Sequence, residues 1–299
     1  MLTALTVVLA LSSAKRSKVD PSKNCLDAFK RIGSINNYLS PEDVALLNTT
    51  DSYTYFFYKG PLSPNPFIDV YSKPYLPRYG FLSGVTLDAY DLLQPSFDYP
   101  AIYKTANGQY VRVEKGSGND IAVSTGLSGS SSFSASIVAG EANYFCNGGK
   151  SVIHVLDDTI TWPQANAPQF SGILSTFQSL VAKYNLFDAV EGLKEATIFA
   201  PSNKAFEAIS STLSKLSDEQ VVNVLKYHVQ PSKAVFRKDL IGAGAVRVTQ
   251  LNGDALTAQI QAGTVVINGK TAVSVPDVII DVGAVHVIDD VLIPPSFMA

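Results

Sequence analysis

The sequence predicts an α+β protein built from two related domains, and three observations predict it. Val152-Ile153-His154-Val155-Leu156-Asp157-Asp158 returns as Ala284-Val285-His286-Val287-Ile288-Asp289-Asp290, with Pro163 and Pro294 beyond. A repeat spaced by about 130 residues is one domain long, which marks duplication of a whole domain rather than a solenoid. In the second copy helical periodicity comes first and alternating strands with Asn-Gly turns follow, so helices precede an antiparallel sheet. A composition of 46% apolar and 16% charged residues lets each copy bury a core.

Residues 1–14 form an apolar run ending in small residues, with Ser12 and Ala14 spaced like a signal-peptidase site, and are expected to be a cleaved signal peptide. Nothing else approaches the roughly 20 apolar residues of a membrane span. Asp289 and Asp290 interrupt the last strand where a lipid-anchor signal needs an apolar tail. The expected location is therefore outside the cell or in the secretory lumen. Cys25 and Cys146 flank the first domain, and in that compartment they suggest a disulfide between its first helix and the region before its last strand; the alternative is two buried thiols. Asn48-Thr49-Thr50 is a glycosylation sequon. A net charge of −3, with no basic cluster longer than Lys15-Arg16, argues against nucleic acid and anionic lipid as partners.

The second domain, 168–296, is the easier to read. Ile173, Leu174, Phe177, Leu180, Val181 and Tyr184 share one helix face. Ala196 to Ala200 form a short strand that stops at Pro201, and Ser202 caps the helix that carries Phe206 and Ile209. Ser217 and Gln220 form a capping box for a helix through Val221, Val224 and Leu225. Asn252-Gly253 and Asn268-Gly269 are hairpin turns, and Val285 to Ile293 is the closing strand.

Thr197-Ile198-Phe199-Ala200-Pro201-Ser202-Asn203-Lys204-Ala205-Phe206, then Leu225-Lys226-Tyr227-His228-Val229, then Gly283 to Asp289, resemble the two sequence boxes and the central Tyr-His pair of the fasciclin domain. The resemblance implies two tandem fasciclin-like domains, each a twisted antiparallel sheet with helices packed at one side. The first copy, 22–163, follows with losses. Thr54-Tyr55-Phe56 matches Thr197-Ile198-Phe199, and Arg78-Tyr79-Gly80-Phe81 matches Lys226-Tyr227-His228-Val229. Pro201-Ser202-Asn203 has become Tyr58-Lys59-Gly60, so nothing that depends on Asn203 or His228, which are expected to lie near each other, carries over.

Three histidines are the whole stock of imidazole. His154 and His286 hold one strand position in the two copies and read as hydrogen-bonded structural groups. No histidine pair has helix-face ligand spacing and no Cys-x-x-Cys occurs, so no metal site is expected. The sequence also lacks phosphate loops and a Gly-x-Ser-x-Gly elbow, and no cofactor is expected. Asp157-Asp158 and Asp289-Asp290 point to opposite strand faces and read as turn acids. Glycine and serine between 116 and 136 read as two serine-decorated strands, the alternative being a mobile lid over the tyrosine-rich part of the first copy.

Twelve of the fourteen tyrosines lie in the first copy. A tyrosine offers an apolar ring and a phenol, which suits the walls of a pocket for a partly oxygenated organic ligand; the alternative is that these tyrosines simply pack on strands and half-buried surfaces. Tyr55, Tyr58, Tyr71, Tyr75 and Tyr79 are the candidate ligand-binding residues, roofed by a proline-punctuated loop between Tyr58 and Tyr79.

Two functions follow. One is a secretory protein that binds an apolar or aromatic small molecule at a tyrosine-lined site. Such a binder could act as a cofactor-free catalyst of cyclisation, isomerisation or cycloaddition in secondary metabolism, a hetero-Diels–Alder closure being one example. The other, implied by the resemblance, is extracellular or cell-wall adhesion to a surface or matrix partner, with Val275-Pro276-Asp277-Val278-Ile279 as its candidate motif.

Overall fold

The computed structural model describes residues 24–33, 39–60, 80–93, 101–116, 120–127, 134–160 and 170–297. The expected signal peptide, and Tyr71, Tyr75 and Tyr79, lie outside the described residues. The chain divides into two compact units, 1–162 and 163–299.

In the first unit, helix α1 (Cys25–Ile32) starts where the Asn24 side chain accepts the Asp27 amide at 2.8 Å. Helix α2 (Pro41–Leu47) starts at a capping box of Ser40 and Asp43 with proline in the first turn. Strands β1 (Tyr53–Tyr58) and β2 (Phe81–Ser83) follow, then helix α3 (Ala89–Leu93). Strands β3 (Ala101–Lys104), β4 (Tyr110–Lys115), β5 (Ile121–Ser124), β6 (Ser134–Ser136), β7 (Tyr144–Cys146) and β8 (Ser151–Leu156) complete it. They make two sheets, β2-β1-β8-β7 and β3-β4-β5-β6. Successive residues of β1 face opposite ways. Tyr53, Tyr55 and Phe57 pack with Phe29, Phe81 and Ile153, while Phe56 packs with Val111, Val113 and Val123. The serine-rich segment does contain strands at β5 and β6.

The second unit runs α4 (Ser171–Lys183), α5 (Phe187–Glu191), β9 (Ala196–Pro201), α6 (Asn203–Ala208), α7 (Ser210–Leu213), α8 (Asp218–Tyr227), β10 (Val229–Gln230) and α9 (Arg237–Leu240). Strands β11 (Val246–Thr249), β12 (Ala255–Gln261), β13 (Thr264–Ile267), β14 (Thr271–Ile280) and β15 (Gly283–Ile288) close it. Its sheet has the order β10-β9-β15-β14-β13-β12-β11. Ser202 caps α6 and the Ser217–Gln220 capping box starts α8. The closing strand ends at Ile288 rather than at Ile293.

The sheets depart from the antiparallel expectation at one place in each unit. The closing strand lies parallel to the first strand, with Phe56 opposite His154 in β1–β8 and Phe199 opposite His286 in β9–β15. Tight turns force antiparallel neighbours only where connections are short; here most of a domain separates the two strands, long enough for a parallel crossover. The two registers place His154 and His286 at equivalent positions. Phe81 opposite Tyr55 and Val229 opposite Ile198 likewise place Gly80 where the second unit has His228.

Candidate functional site

Each paired histidine belongs to a structural node. In the first unit the Thr54 hydroxyl donates to the Val85 carbonyl at 3.0 Å and accepts the Leu87 amide at 2.9 Å. His154 Nε2 bonds the Leu87 carbonyl at 2.9 Å, and its Nδ1 faces the Asn143 amide at 3.5 Å. The second unit repeats this. Thr197 bonds the Lys233 carbonyl at 2.7 Å and the Val235 amide at 2.8 Å, and His286 bonds the Val235 carbonyl at 2.8 Å and the Asp277 amide at 3.1 Å. A carbonyl only accepts and an amide only donates, so both rings carry their proton on Nε2. Each stacks on a phenylalanine with ring centroids 5.6 Å apart. Burial pushes His154 down to about 4, which keeps it neutral.

His228 is a hydrogen-bonded structural group as well. Its Nδ1 donates to the Val224 carbonyl at 2.7 Å and its Nε2 accepts the Leu292 amide at 2.9 Å, tying the end of α8 to the segment after β15. Burial holds it at about 4. Asn203 is engaged elsewhere, accepting the Thr176 amide of α4 at 2.9 Å. Both residues meet α4 at neighbouring positions, Asn203 at the Thr176 amide and His228 with its ring centroid 6.3 Å from that of Phe177.

The structure does not bring Tyr55 and Tyr58 to one wall. Tyr55 is fully buried, stacks on Tyr53 and donates its hydroxyl to the Leu46 carbonyl at 3.1 Å; burial pushes its phenol upward. Tyr58, three residues on and therefore on the opposite face of β1, is half-buried against the other apolar cluster. Its ring end lies over Gly60. Arg112 is the residue that sequence reasoning passed over in this unit. It is 1% exposed on the face of β4 opposite the Val111–Val113 core, beside buried Ile102 and Ser124, and its Nη1 donates to the Gly126 carbonyl at 3.2 Å. A lone arginine in an alternating strand reads as solvent-facing, so no local signal marks it.

Cys25 and Cys146 form the disulfide, with Cα atoms 5.1 Å apart. Asn48 is exposed at the end of α2. Asp157 accepts the Ser136 amide at 2.7 Å and Asp290 accepts the Thr271 hydroxyl at 3.1 Å, consistent with turn roles. Asp277, the acid of the candidate adhesion motif, points inward: its side chain is 15% exposed and its Oδ1 accepts the Arg237 amide at 2.7 Å. Among the described residues no three His, Cys, Asp or Glu side chains cluster as metal ligands would. Nor is any described helix long and apolar enough to cross a membrane.

A ligand-sized space in the second unit is an open groove of about 480 Å³ between α4, α6, α7 and α8. That volume is within the range of small-molecule sites. Leu180, Phe206, Leu213, Leu216 and Val221 form its apolar lining, and Thr176, Lys183, Tyr184, Asn203, Glu207 and Asp218 supply polar groups. The Tyr184 hydroxyl donates to Asp218 Oδ1 at 2.6 Å and accepts from Lys183 Nζ at 3.0 Å. The bond to Tyr184 is the main cause that raises the Lys183 pKa and lowers that of Asp218. Capping explains the convergence, because Ser217 starts α8 with Asp218 in its first turn while Lys183 ends α4, each charge at the favourable helix end. Such a groove can hold an apolar ring on its floor and hydrogen-bond oxygen substituents at its rim. Sequence reasoning assigned Tyr184 to the apolar helix face; the capping box beside Asp218 was the available signal.

A model of the fasciclin domain matches residues 172–294. Over 128 residues the chain is 38% identical to protein sll1483 of Synechocystis sp., a stretch covering 40% of this chain and 68% of that one. It is 25% identical over 186 residues to aurofusarin biosynthesis cluster protein S of Gibberella zeae, covering 48% of this chain and less than half, 46%, of that one. Among solved structures, a FAS1 domain pair from the insect cell adhesion molecule fasciclin I aligns over 92% of this chain and 99% of that one, at 17% identity and a TM-score of 0.41. The chain belongs to the fasciclin-domain family.

Proposed function

We propose that this is a secreted fasciclin-domain protein that binds a partly oxygenated aromatic or polycyclic small molecule in the groove of its second unit. The groove carries the reading: about 480 Å³ with an apolar floor and the Lys183–Tyr184–Asp218 chain on its rim. A relative named for a biosynthesis cluster supports a small molecule as occupant. The disulfide and the exposed sequon asparagine support an oxidising, secretory location. Any catalysis would come from holding a reactive ligand in one conformation, with Tyr184 as the group placed to polarise a carbonyl. Adhesion stands as the alternative reading; its candidate motif acid, Asp277, accepts the Arg237 amide inside the fold.

The test is extraction and mass spectrometry of compounds that co-purify with the protein from its native secretions, compared with a Leu213→Glu variant that puts a carboxylate into the groove. The proposal expects an aromatic compound retained by the native protein and lost from the variant. Absence of any retained compound, or equal retention by the variant, would overturn it.

A further inference from the structure

We propose that Asn203 selects the ligand of the groove, which is an aryl ketone: its carbonyl meets the Asn203 amide, and a second oxygen at its far end meets the Lys183–Tyr184–Asp218 chain. This class rests on the groove being the ligand site. Both ends of the groove are polar and its middle is not. Thr176, Leu180 and Tyr184 line it at four-residue steps, on one face of α4 and its cap. Thr176 and Tyr184 are therefore about 12 Å apart along the helix axis, with Leu180 between them. Asn203 opens α6 at the Thr176 end, and Asp218 opens α8 at the Tyr184 end. Phe206, three residues past Asn203, and Val221, three past Asp218, line the apolar stretch. An aromatic ring with oxygens at opposite ends, and a hydrogen bond of about 2.9 Å on each, is of comparable length.

Hydrogen-bond direction distinguishes the two ends. A backbone amide only donates, so the Asn203 atom 2.9 Å from the Thr176 nitrogen is the oxygen. That bond fixes which way the side chain is turned, and Nδ2 is what Asn203 has left to offer. Among the described residues no group accepts from it. Asn203 is half-buried in the groove wall, whereas the acid one turn further along α6, Glu207, is exposed. A half-buried donor without a protein partner favours a ligand acceptor, and a carbonyl oxygen accepts without competing to donate. The far end is less selective, because Lys183 donates there and Asp218 accepts. Selection between ligands therefore falls to Asn203.

NMR titration of the full disulfide-bonded, isotope-labelled protein with para-hydroxyacetophenone and with para-ethylphenol tests this, since the two compounds differ only at the carbonyl. Both should shift the amides of Leu180 and Leu213, and the ketone should bind about two- to tenfold more tightly, the range of one neutral hydrogen bond. The side-chain amide signal of Asn203 should move with the ketone and stay in place with para-ethylphenol, a readout that needs no variant. Asn203→Asp keeps an oxygen for the Thr176 amide and replaces the donor with an acceptor. It should erase the ketone's advantage while leaving the affinity for para-ethylphenol unchanged. Equal affinities in the native protein, with the Leu180 and Leu213 amides shifted, overturn the role of Asn203 and leave the groove as a ligand site. No shift from either compound overturns both. A ketone advantage that survives Asn203→Asp, an unmoved Asn203 signal, or an equal loss of both compounds in the folded variant also overturns the selection.

Discussion

Asn143 and Asp277 hold the same left-handed backbone position in the two units, with φ of 60° and 58°. Each turns its amide toward a histidine Nδ1, and each side chain accepts a helix-region amide, from Ala89 at 2.8 Å and Arg237 at 2.7 Å. Asparagine and aspartate tolerate positive φ better than other side-chain-bearing residues. The node therefore has two requirements, a left-handed backbone and a short acceptor. Asp277→Asn meets both and should cost under about 1 kcal/mol, whereas Asp277→Ala fails both and should cost roughly 1–3 kcal/mol. Denaturant unfolding of the two variants checks the order.

The buried histidines set an acid limit. His154 and His228 are held at about 4, below the ordinary value of 6.5, chiefly by burial. In the window between these values the unfolded chain binds more protons than the folded one. Stability should therefore be full above about pH 6.5 and fall as pH drops toward about 4, by on the order of 3 kcal/mol for each histidine. Carboxylates add their own loss at lower pH. Ring-carbon NMR shifts separate the effects, since neither imidazole should titrate between pH 5 and 7.

Gly80 shows why the first copy could not keep the histidine. A Cβ there would overlap the Phe56 carbonyl oxygen, so β1 and the turn before β2 lie closer than any side chain allows. Gly80→Ala should destabilise the first unit by more than 1 kcal/mol through backbone displacement. A variant that unfolds with the native transition would show that the approach is relaxed in solution.

How much of this was legible in the sequence follows from the range of each interaction. Helix starts at Ser202 and Ser217 and turns at Asn252 and Asn268 are decided within a few residues, and they were readable. The equivalence of His154 and His286 was visible because the whole strand was repeated. The parallel pairing of β1 with β8 was not, since alternation shows which face is buried but not which distant strand lies alongside. Tyr55 and Tyr58 looked like one wall only while β1 was read without its pleat. The groove was hidden for a related reason: Tyr184 and Asp218 lie on separate helices, and only packing brings them to 2.6 Å.

The disulfide spans 121 residues, and in the chain-entropy account a loop of that length contributes up to about 4–5 kcal/mol. It joins α1 to β7, both in the cluster around Phe29 and Tyr55. Reduction should therefore lower the unfolding transition of the first unit and leave that of the second in place. Calorimetry with and without reductant measures both transitions, and a shift confined to the second would contradict the assignment.

The groove gives the sharpest functional prediction. Tyr184 presents both a ring and a hydroxyl, and the two contributions can be separated. Tyr184→Phe keeps the ring at the groove wall and removes the oxygen that links Lys183 to Asp218. The three side chains lie at the surface, so the fold should tolerate the change with an effect near zero. Ligand affinity should fall by roughly 0.5–1.5 kcal/mol, about two- to tenfold, if the phenol bonds a ligand oxygen. Tyr184→Ala should cost more because stacking is lost as well. Asp218→Asn supplies the control, since it leaves the phenol in place and changes only the group that orients it, so its effect should be smaller than that of Tyr184→Phe. Calorimetric titration with the co-purified compound reads all three. If Phe and Ala bind alike, the ring makes no contact with the ligand; if all three match the native protein, the ligand occupies another site.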